Sequence, residues 1–145
     1  MFNSILMVCV GNICRSPMAE YLLKDVASRE NRALRVESAG IGALVGKPAD
    51  PYTIRLLAER GIDGMPHRAR QLDGGLLRDF DLVWVMEKWQ KRQIEAEHPS
   101  SRGRVYTIGH WEGVEILDPY QKDEKAFREA MTLIEKGIDQ WRAKI

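Results

Sequence analysis

Residues 3–20 read NSILMVCVGNICRSPMAE, and this stretch predicts a buried strand that turns directly into a helix. Residues 3–10 form an apolar run of strand length. Residues 11–15 are predicted to form a loop. Ser16 followed by Pro17 then predicts a helix start, with a hydroxyl N-cap and a proline at the first helical position. A strand, a short loop and a helix in this order are typical of the start of an α/β fold.

The rest of the chain repeats this alternation. Further strands are predicted at residues 34–39, 81–86 and 104–108, and helices at 72–78 and 87–97. Another helix is predicted to start at Asp50-Pro51 and to stop at Gly61. Its predicted buried stripe consists of Ile54, Leu57 and Ala58. The clearest helix is the last, in which the residues at helical spacing are Phe127, Met131, Ile134, Ile138 and Trp141.

Alternating strands and helices predict a parallel sheet with right-handed crossovers. We therefore expect a single domain over residues 1–145, an α/β fold with a twisted parallel sheet of about four strands and helices on both faces. Ligands of such sheets bind beyond the carboxyl ends of the strands, where loops enter helices. This rule points to the loop that follows the first strand.

Composition narrows the class of protein further. The chain has 145 residues, and its 22 basic and 21 acidic side chains leave a net charge of +1, which argues against nucleic acid as a partner. No apolar run approaches the roughly 18 residues of a membrane span, and no signal peptide is recognisable. Two cysteines rule out a disulfide scaffold, and three scattered histidines lack metal-ligand spacing. We expect a reduced cytoplasmic domain without metal or cofactor, and a monomer or weak oligomer.

The loop after the first strand carries the chemistry. A helix N-terminus offers unpaired N–H groups and a dipole that favour an anion. Arg15 adds a planar fork suited to phosphate oxygens, and Gly11 allows a sharp turn. The same surroundings favour the thiolate form of Cys9. A buried strand cysteine and a helix-capping arginine would be an alternative explanation, but Cys, five residues, Arg and Ser at this position favour nucleophilic attack on phosphorus and a phosphocysteine.

The segment VCVGNICRSPMAE closely resembles the signature of the low-molecular-weight protein tyrosine phosphatases. The resemblance extends in order along most of the chain, and it implies a phosphotyrosine protein phosphatase I-like fold. The segments that carry it further are ESAG (37–40), DP (50–51), HRARQ (67–71), residues 81–87 and DPY (118–120). LVGKPADP (44–51) and GHW (109–111) look most like a bacterial branch found with exopolysaccharide and capsule export systems. Members of that branch dephosphorylate a membrane tyrosine autokinase, which implies such a partner here.

The resemblance also assigns roles to individual residues. It implies that Cys9 is the nucleophile, that Arg15 binds the phosphate, and that Asp118 is the general acid, which a tyrosyl leaving group with a parent pKa near 10 requires. The phosphate-binding loop would further include Val10, Gly11, Asn12, Ile13, Cys14 and Ser16. Ser38 and His67 would support the loop, and Leu44 and Tyr120 would form the pocket walls. Animal members carry tryptophan at the Leu44 position and a second tyrosine at Gln121, so these two positions favour a bacterial substrate.

Several alternatives remain open at this stage. Ser16 could cap the helix or donate to the Cys9 sulfur, and one hydroxyl must serve both uses. Cys14 is either a small loop residue or a partner that traps oxidised Cys9 as a reversible disulfide. An arsenate reductase would need further cysteines to relay a disulfide, and none follows Cys14. A cysteine phosphocarrier would generally lack both Arg15 and Asp118, and no substitution points to a catalytically weak phosphotyrosine binder.

Overall fold

The computed structural model describes residues 2–145 and contains one sheet of four strands. The strands are β1 (Ser4–Cys9), β2 (Arg35–Gly40), β3 (Leu82–Val85) and β4 (Val105–Thr107). The helices are α1 (Arg15–Arg29), α2 (Pro51–Glu59), α3 (Gly74–Arg78), α4 (Lys88–Glu97) and α5 (Glu124–Arg142), with a short 3-10 turn at Pro99–Ser101. Among residues 2–145, no helix is both long and apolar enough to cross a membrane.

The sheet is parallel throughout, with the strand order β2-β1-β3-β4. The chain therefore passes from β1 outward to β2 and then returns to β3 on the other side of β1. The carboxyl ends of β1 and β3 lie side by side at this change of direction, where open α/β sheets bind their ligands. The loop after β1 occupies this position, as the sequence predicts.

Helices cover both faces of the sheet, which confirms the expected architecture. On one face, Ile5, Met7 and Trp84 pack in a core shared with α1, α2 and α5. On the other face, alternate residues of β1 and β3 pack with Leu77 of α3 and Ile94 of α4. Because β1 and β3 are buried on both sides, they read as continuous apolar runs rather than alternating ones.

Two helix expectations need correction. Helix α1 begins at Arg15 with Cys14 as its N-cap and no side-chain capping bond, so Ser16 is not the N-cap. The Ser16 hydroxyl is instead used by its neighbours in the site, as described below. In α2 the buried residues are Thr53, Leu56 and Leu57 rather than the predicted stripe of Ile54, Leu57 and Ala58. The apolar side chains of this short helix do not by themselves fix which face turns inward.

The other helix ends follow local chemistry. Asp50 caps α2 by accepting a hydrogen bond from the Tyr52 N–H at 2.9 Å, with Pro51 in the first turn. Glu87 is the N-cap of α4 and forms a reciprocal capping box with Gln90. Gly61, at φ +74°, follows the last turn of α2. These caps fix where the segments that surround the β1 loop begin and end.

Candidate active site

Nine of the residues singled out from the sequence line one cavity at the carboxyl end of β1, whereas Asn12, Ser16, Ser38 and His67 do not line it. Its volume is about 110 Å³. Cys9 and Arg15 lie at its base, and Asp118 joins them from a segment more than a hundred residues away. The remaining lining residues are Val10, Gly11, Ile13, Cys14, Gly42, Leu44 and Tyr120. The structure thus brings together residues from three separate stretches of the chain.

The backbone of the loop is fixed from outside through its carbonyl groups. Six successive carbonyls, from Cys9 to Cys14, each accept a hydrogen bond. Their donors are the backbone N–H groups of Ile41, Gly42, Leu44, Asp50 and Met18 and the ring of His67. The carbonyls of the loop are therefore all occupied, and the loop leads directly into the N-terminus of helix α1 at Arg15. A concave row of N–H donors at a helix N-terminus is a favourable site for an anion.

Asn12 holds the loop in its tightest turn. Its backbone lies in the left-handed region at φ +59°, which asparagine tolerates better than most residues. Its side-chain oxygen accepts from the Arg70 N–H at 2.9 Å, and its side-chain nitrogen donates to Ser16 at 2.8 Å and to Ser38 at 3.0 Å. His67 Nε2 lies 2.7 Å from the Asn12 carbonyl. A carbonyl can only accept, so the imidazole carries a proton on Nε2.

The Cys9 sulfur lies 2.9 Å from the Ser16 hydroxyl. Both side chains are almost completely buried. The Ser16 hydroxyl therefore hydrogen-bonds with both the Cys9 sulfur and the Asn12 side chain. Of the two roles expected from the sequence, it contacts the sulfur and does not cap the helix. The hydroxyl is a component of the loop rather than a helix cap.

The Arg15 guanidinium is buried, with 1% of its side chain exposed. Its Nη1 donates to Glu87 Oε2 and to the Ile116 carbonyl, each at 2.7 Å. Its Nε and Nη2 are buried, and neither donates a hydrogen bond to any acceptor within residues 2–145. Unsatisfied buried donors of a permanent cation are costly. The two free positions therefore point to an anion with at least two oxygens as the group this site is built to hold.

Asp118 stands at the mouth of the cavity. Its Oδ2 lies 3.6 Å from Arg15 Nη2, and 42% of its side chain is exposed. Its other oxygen accepts from the Tyr120 N–H at 3.1 Å, which ties the carboxylate to the tyrosine. Tyr120 and Leu44 are both partly exposed, and both line the cavity.

Cys14 differs from Cys9 in its surroundings. Burial raises the pKa of the Cys14 thiol well above its ordinary value, and the neighbouring Asp50, Cys9 and Asp118 add to this rise. Cys14 is therefore a protonated thiol at neutral pH. Both cysteines are free in this structure.

Four features of the site were not assigned a role by sequence reasoning. Glu87 and the Ile116 carbonyl hold Arg15, although they are 72 and 101 positions away in the chain. Glu20 accepts a hydrogen bond from Ser38. Gly40 lies so close to the loop that a Cβ built on it would stand 2.4 Å from the Val10 carbonyl oxygen. Only Glu20 left a local signal, since it is a carboxylate on the buried face of α1.

The site can therefore combine three functions. It offers a sulfur nucleophile, a guanidinium at a helix N-terminus for an oxyanion, and a carboxyl group at the mouth for proton transfer. Among residues 2–145, no group of three or more His, Cys, Asp or Glu side chains is placed to hold a metal ion.

Comparison with known proteins identifies the family. Residues 4–145 match the family model described as low molecular weight phosphotyrosine protein phosphatase. The chain is 48% identical over 145 residues to the probable low molecular weight protein-tyrosine-phosphatase EpsP of Ralstonia solanacearum, covering 100% of this chain and 97% of that protein. It is 48% identical over 142 residues to the low molecular weight protein-tyrosine-phosphatase Wzb of Escherichia coli K12, covering 97% of this chain and 94% of that protein.

A solved structure agrees with these relatives. Vibrio vulnificus Wzb in complex with benzylphosphonate superimposes with a TM-score of 0.93 at 38% identity, covering 100% of both chains. The chain belongs to the low molecular weight phosphotyrosine protein phosphatase family. It is a protein-tyrosine phosphatase, so the main hypothesis from the sequence fits these matches, whereas the arsenate reductase and phosphocarrier alternatives do not.

Proposed function

We propose that a single domain spanning residues 1–145 hydrolyses phosphotyrosine through a phosphocysteine on Cys9. The observation that carries this proposal is the pair of buried Arg15 donors, Nε and Nη2, that make no hydrogen bond within residues 2–145 and lie beside the cavity that Cys9 lines. A phosphate monoester presents several anionic oxygens to such donors while its phosphorus faces the sulfur. The loop N–H groups complete the cradle, and they stabilise the charge that develops on the equatorial oxygens in the transition state.

In the first step, the Cys9 thiolate attacks phosphorus, the S–P bond forms and the bond from phosphorus to the tyrosyl oxygen breaks. Asp118 gives its proton to the departing oxygen, so tyrosine leaves as the neutral phenol. The position of Asp118 at the cavity mouth, 3.6 Å from Arg15, supports this role.

In the second step, water attacks the phosphorus of the phosphocysteine from the side that tyrosine has left. Asp118, now ionised, accepts a proton from this water. The S–P bond breaks, inorganic phosphate forms and Cys9 leaves as a thiolate. The Ser16 hydroxyl, 2.9 Å from the sulfur, donates to this leaving group and lowers its energy.

The walls of the cavity favour an aromatic phosphate ester. Leu44 and Tyr120 offer apolar surface on either side of the mouth, which suits the flat faces of a tyrosine ring. The structure of the Vibrio vulnificus relative with benzylphosphonate supports this assignment, because that compound joins a phenyl ring to a phosphonate. A serine phosphate has no aromatic ring to place against these walls.

For the biological substrate, we propose a membrane tyrosine autokinase of an exopolysaccharide or capsule system. The support is the full-length similarity to EpsP and Wzb, together with the aliphatic Leu44 and the Gln121 that resemble the bacterial branch. This proposal also places the protein in the cytoplasm, on the same side of the membrane as the kinase domain. The protein would act as a monomer or a weak oligomer.

The test measures the release of inorganic phosphate from a phosphotyrosine peptide, with a matched phosphoserine peptide as the control. Both assays contain a reductant and a metal chelator. Wild-type protein is compared with Cys9→Ser. We expect release from phosphotyrosine alone and a fall of at least about a thousandfold in Cys9→Ser, because a serine hydroxyl is a far weaker nucleophile than a thiolate. Circular dichroism of the variant should match the wild type.

Two results would contradict the proposal. Retained turnover in Cys9→Ser would remove the covalent mechanism. Formation of a stable phosphocysteine with no release from either peptide would indicate a phosphocarrier instead. For the proposed partner, the kinase domain of the candidate autokinase, phosphorylated on tyrosine, should lose phosphate to the wild type and form a stable complex with Cys9→Ser.

A further inference from the structure

We propose that Gln121 is a positioning residue whose left-handed backbone closes the turn that holds Asp118 and Tyr120 at the cavity mouth. This inference rests on the proposed role of Asp118 as the general acid. Gln121 does not itself line the cavity, and its side chain is exposed. Its contribution therefore comes from its main chain.

The backbone of Gln121 adopts a conformation that is rare for its residue type. Its φ is +62°, in the left-handed region. The other non-glycine residues with positive φ within residues 2–145 are Asn12 and Asn31, and asparagine is the residue type that tolerates this region best after glycine. A glutamine in this region is strained. Strain of this kind persists only where the surrounding structure requires it, and it is concentrated at functional sites.

The strain belongs to a tight turn in the segment that leads into α5. The Lys122 N–H donates to the Pro119 carbonyl at 2.9 Å, so these residues are the two ends of a hydrogen-bonded four-residue turn. Of the two central residues, Tyr120 and Gln121, only Gln121 has a positive φ. This is the arrangement of a type II turn, whose third position normally requires glycine or asparagine. The turn can therefore close only while Gln121 stays in the left-handed region.

The same turn sets the position of the proposed acid. The Tyr120 N–H donates to Asp118 Oδ1 at 3.1 Å, and the other oxygen of this carboxyl group lies 3.6 Å from Arg15 Nη2. Asp118 is 42% exposed, so it depends on the main chain beside it for its orientation. Tyr120 also lines the cavity. Closing the turn therefore places the carboxyl group and the aromatic wall together.

Both ends of this segment are anchored, which explains why the strain is not relieved elsewhere. At one end, the Ile116 carbonyl accepts from Arg15 Nη1 at 2.7 Å. At the other end, Asp123 is the N-cap of α5 and accepts from the Ala126 N–H at 3.1 Å. Only residues 117–122 connect these two fixed points. If residue 121 returned to negative φ, the residues before it would have to rotate away from their places at the mouth.

The test compares variants of Gln121 that differ in their tolerance of a positive φ. Glycine adopts it freely, asparagine tolerates it and the β-branched valine does not. Gln121→Gly and Gln121→Asn are therefore the conservative variants, and both should keep kcat/KM for a phosphotyrosine peptide within about twofold of the wild type. Gln121→Val should lower it about tenfold. Because glycine has no side chain, its retained activity separates a backbone role from a contact between glutamine and substrate.

A second substrate shows whether the loss in Gln121→Val passes through Asp118. p-Nitrophenyl phosphate also carries an aromatic ring, but its leaving group is stable as an anion. We expect Gln121→Val to lower kcat/KM for this compound by no more than about threefold, because its departure depends little on the acid. Inhibition by inorganic phosphate should be unchanged, since Arg15 remains in place.

Asn31→Val is the matched control. Asn31 is exposed, has φ +53° and follows the end of α1, outside the site. Its variant introduces the same backbone strain elsewhere, so it should lower stability but leave the ratio of the two kcat/KM values unchanged. In an Asp118→Asn background, Gln121→Val should no longer change this ratio, because the group through which it acts is already lost.

Three results would overturn the inference. A Gln121→Gly variant as impaired as Gln121→Val would show that the side chain matters rather than the backbone. An unimpaired Gln121→Val would show that the left-handed conformation is not required. Equal losses on both substrates in Gln121→Val would show that the turn does not act through Asp118. Failure of the proposed acid role is distinguishable, because Asp118→Asn alone would then lower kcat/KM equally for both substrates.

Discussion

At the scale of single residues, the site depends on side chains whose hydrogen-bonding capacity is only partly used within the protein. Arg15 is held on one side by Glu87 and the Ile116 carbonyl, while its Nε and Nη2 find no acceptor in residues 2–145. Asp118 is held only loosely, by Arg15 at 3.6 Å and the Tyr120 N–H. A fixed cation and a more exposed carboxyl group suit binding and proton transfer, respectively.

The proposed role of Asp118 predicts a dependence on the leaving group. Asp118→Asn keeps the shape of the side chain but removes its proton-transfer capacity. We expect hydrolysis of a phosphotyrosine peptide to fall by about a hundredfold or more, because a tyrosyl oxygen needs protonation as it departs. Hydrolysis of p-nitrophenyl phosphate, whose leaving group is stable as an anion, should fall much less in the first step. Pre-steady-state release of the two phenols measures this difference, and equal losses would exclude Asp118 as the acid.

The buried Cys14 predicts a change of stability at alkaline pH. Burial raises the pKa of its thiol, so the folded protein keeps this proton at a pH where the unfolded chain, with an ordinary pKa of about 8.5, loses it. The contribution of Cys14 to stability is therefore fully present below about pH 8.5 and is lost as the pH rises further. Relative to Cys14→Ala, the wild type should lose about 1.4 kcal/mol per pH unit above about pH 9.

Urea denaturation of both proteins in reductant between pH 7 and pH 10 measures this difference. The two proteins should show parallel pH dependence below pH 8, since Cys14 is protonated in both the folded and the unfolded state there. Parallel curves over the whole range would mean that the folded protein does not protect the Cys14 proton.

At the scale of elements, the local signals in the sequence located the strands and helices well. The apolar runs of β1 and β3 and the Asp50-Pro51 cap are short-range features, and all three are confirmed. The start of α1 was placed too late because Ser16 looks like a cap, whereas hydrogen bonds with Asn12 and Cys9 in the same loop occupy its hydroxyl. The supports of Arg15 were missed because they are long-range contacts, and no periodicity connects residue 15 to the segments near residues 87 and 116.

The junction of β2 with the β1 loop predicts a steric effect of substitution at Gly40. A Cβ at this position would stand 2.4 Å from the Val10 carbonyl oxygen and 3.1 Å from Asn12 atoms. Gly40→Ala should therefore displace the loop, lowering the free energy of unfolding by about 1–3 kcal/mol and kcat/KM with it. Gly42→Ala is the matched control, since its nearest neighbour would be Val10 Cγ1 at 4.0 Å. Similar losses of the free energy of unfolding in both variants would contradict this steric explanation.

At the scale of the whole molecule, helix α5 connects the core to the segment that carries Asp118. Trp141 stacks on Trp84 of β3 with ring centroids 4.9 Å apart, and its Nε1 donates to the Ile108 carbonyl at 3.1 Å. Gly137 lets the helix approach this same carbonyl, since a Cβ there would lie only 2.7 Å from its oxygen. Residue 108 opens the segment that leads to Ile116 and Asp118, so the C-terminal helix holds the second half of the site in place.

This connection predicts a loss of stability in Trp141→Phe. The variant keeps an aromatic ring against Trp84 but leaves the buried Ile108 carbonyl without its donor, which should cost about 1–3 kcal/mol. Trp89→Phe is the control, because Trp89 is 39% exposed whereas Trp141 is 4% exposed, so its replacement should change stability less than that of Trp141. Chemical denaturation of both variants gives the comparison, and an unchanged midpoint in Trp141→Phe would exclude this anchoring role.

The contact of Arg15 with two carboxylates has a consequence for how quickly substrates arrive. One positive side chain faces Glu87 and Asp118, and the whole chain carries a net charge of only +1. The cavity therefore projects little positive potential into solvent, and an approaching dianion feels the guanidinium only at short range. Association should be governed by diffusion and shape rather than by electrostatic steering, so its rate should change little with ionic strength. Discrimination among phosphoproteins then falls to the surface around the cavity mouth.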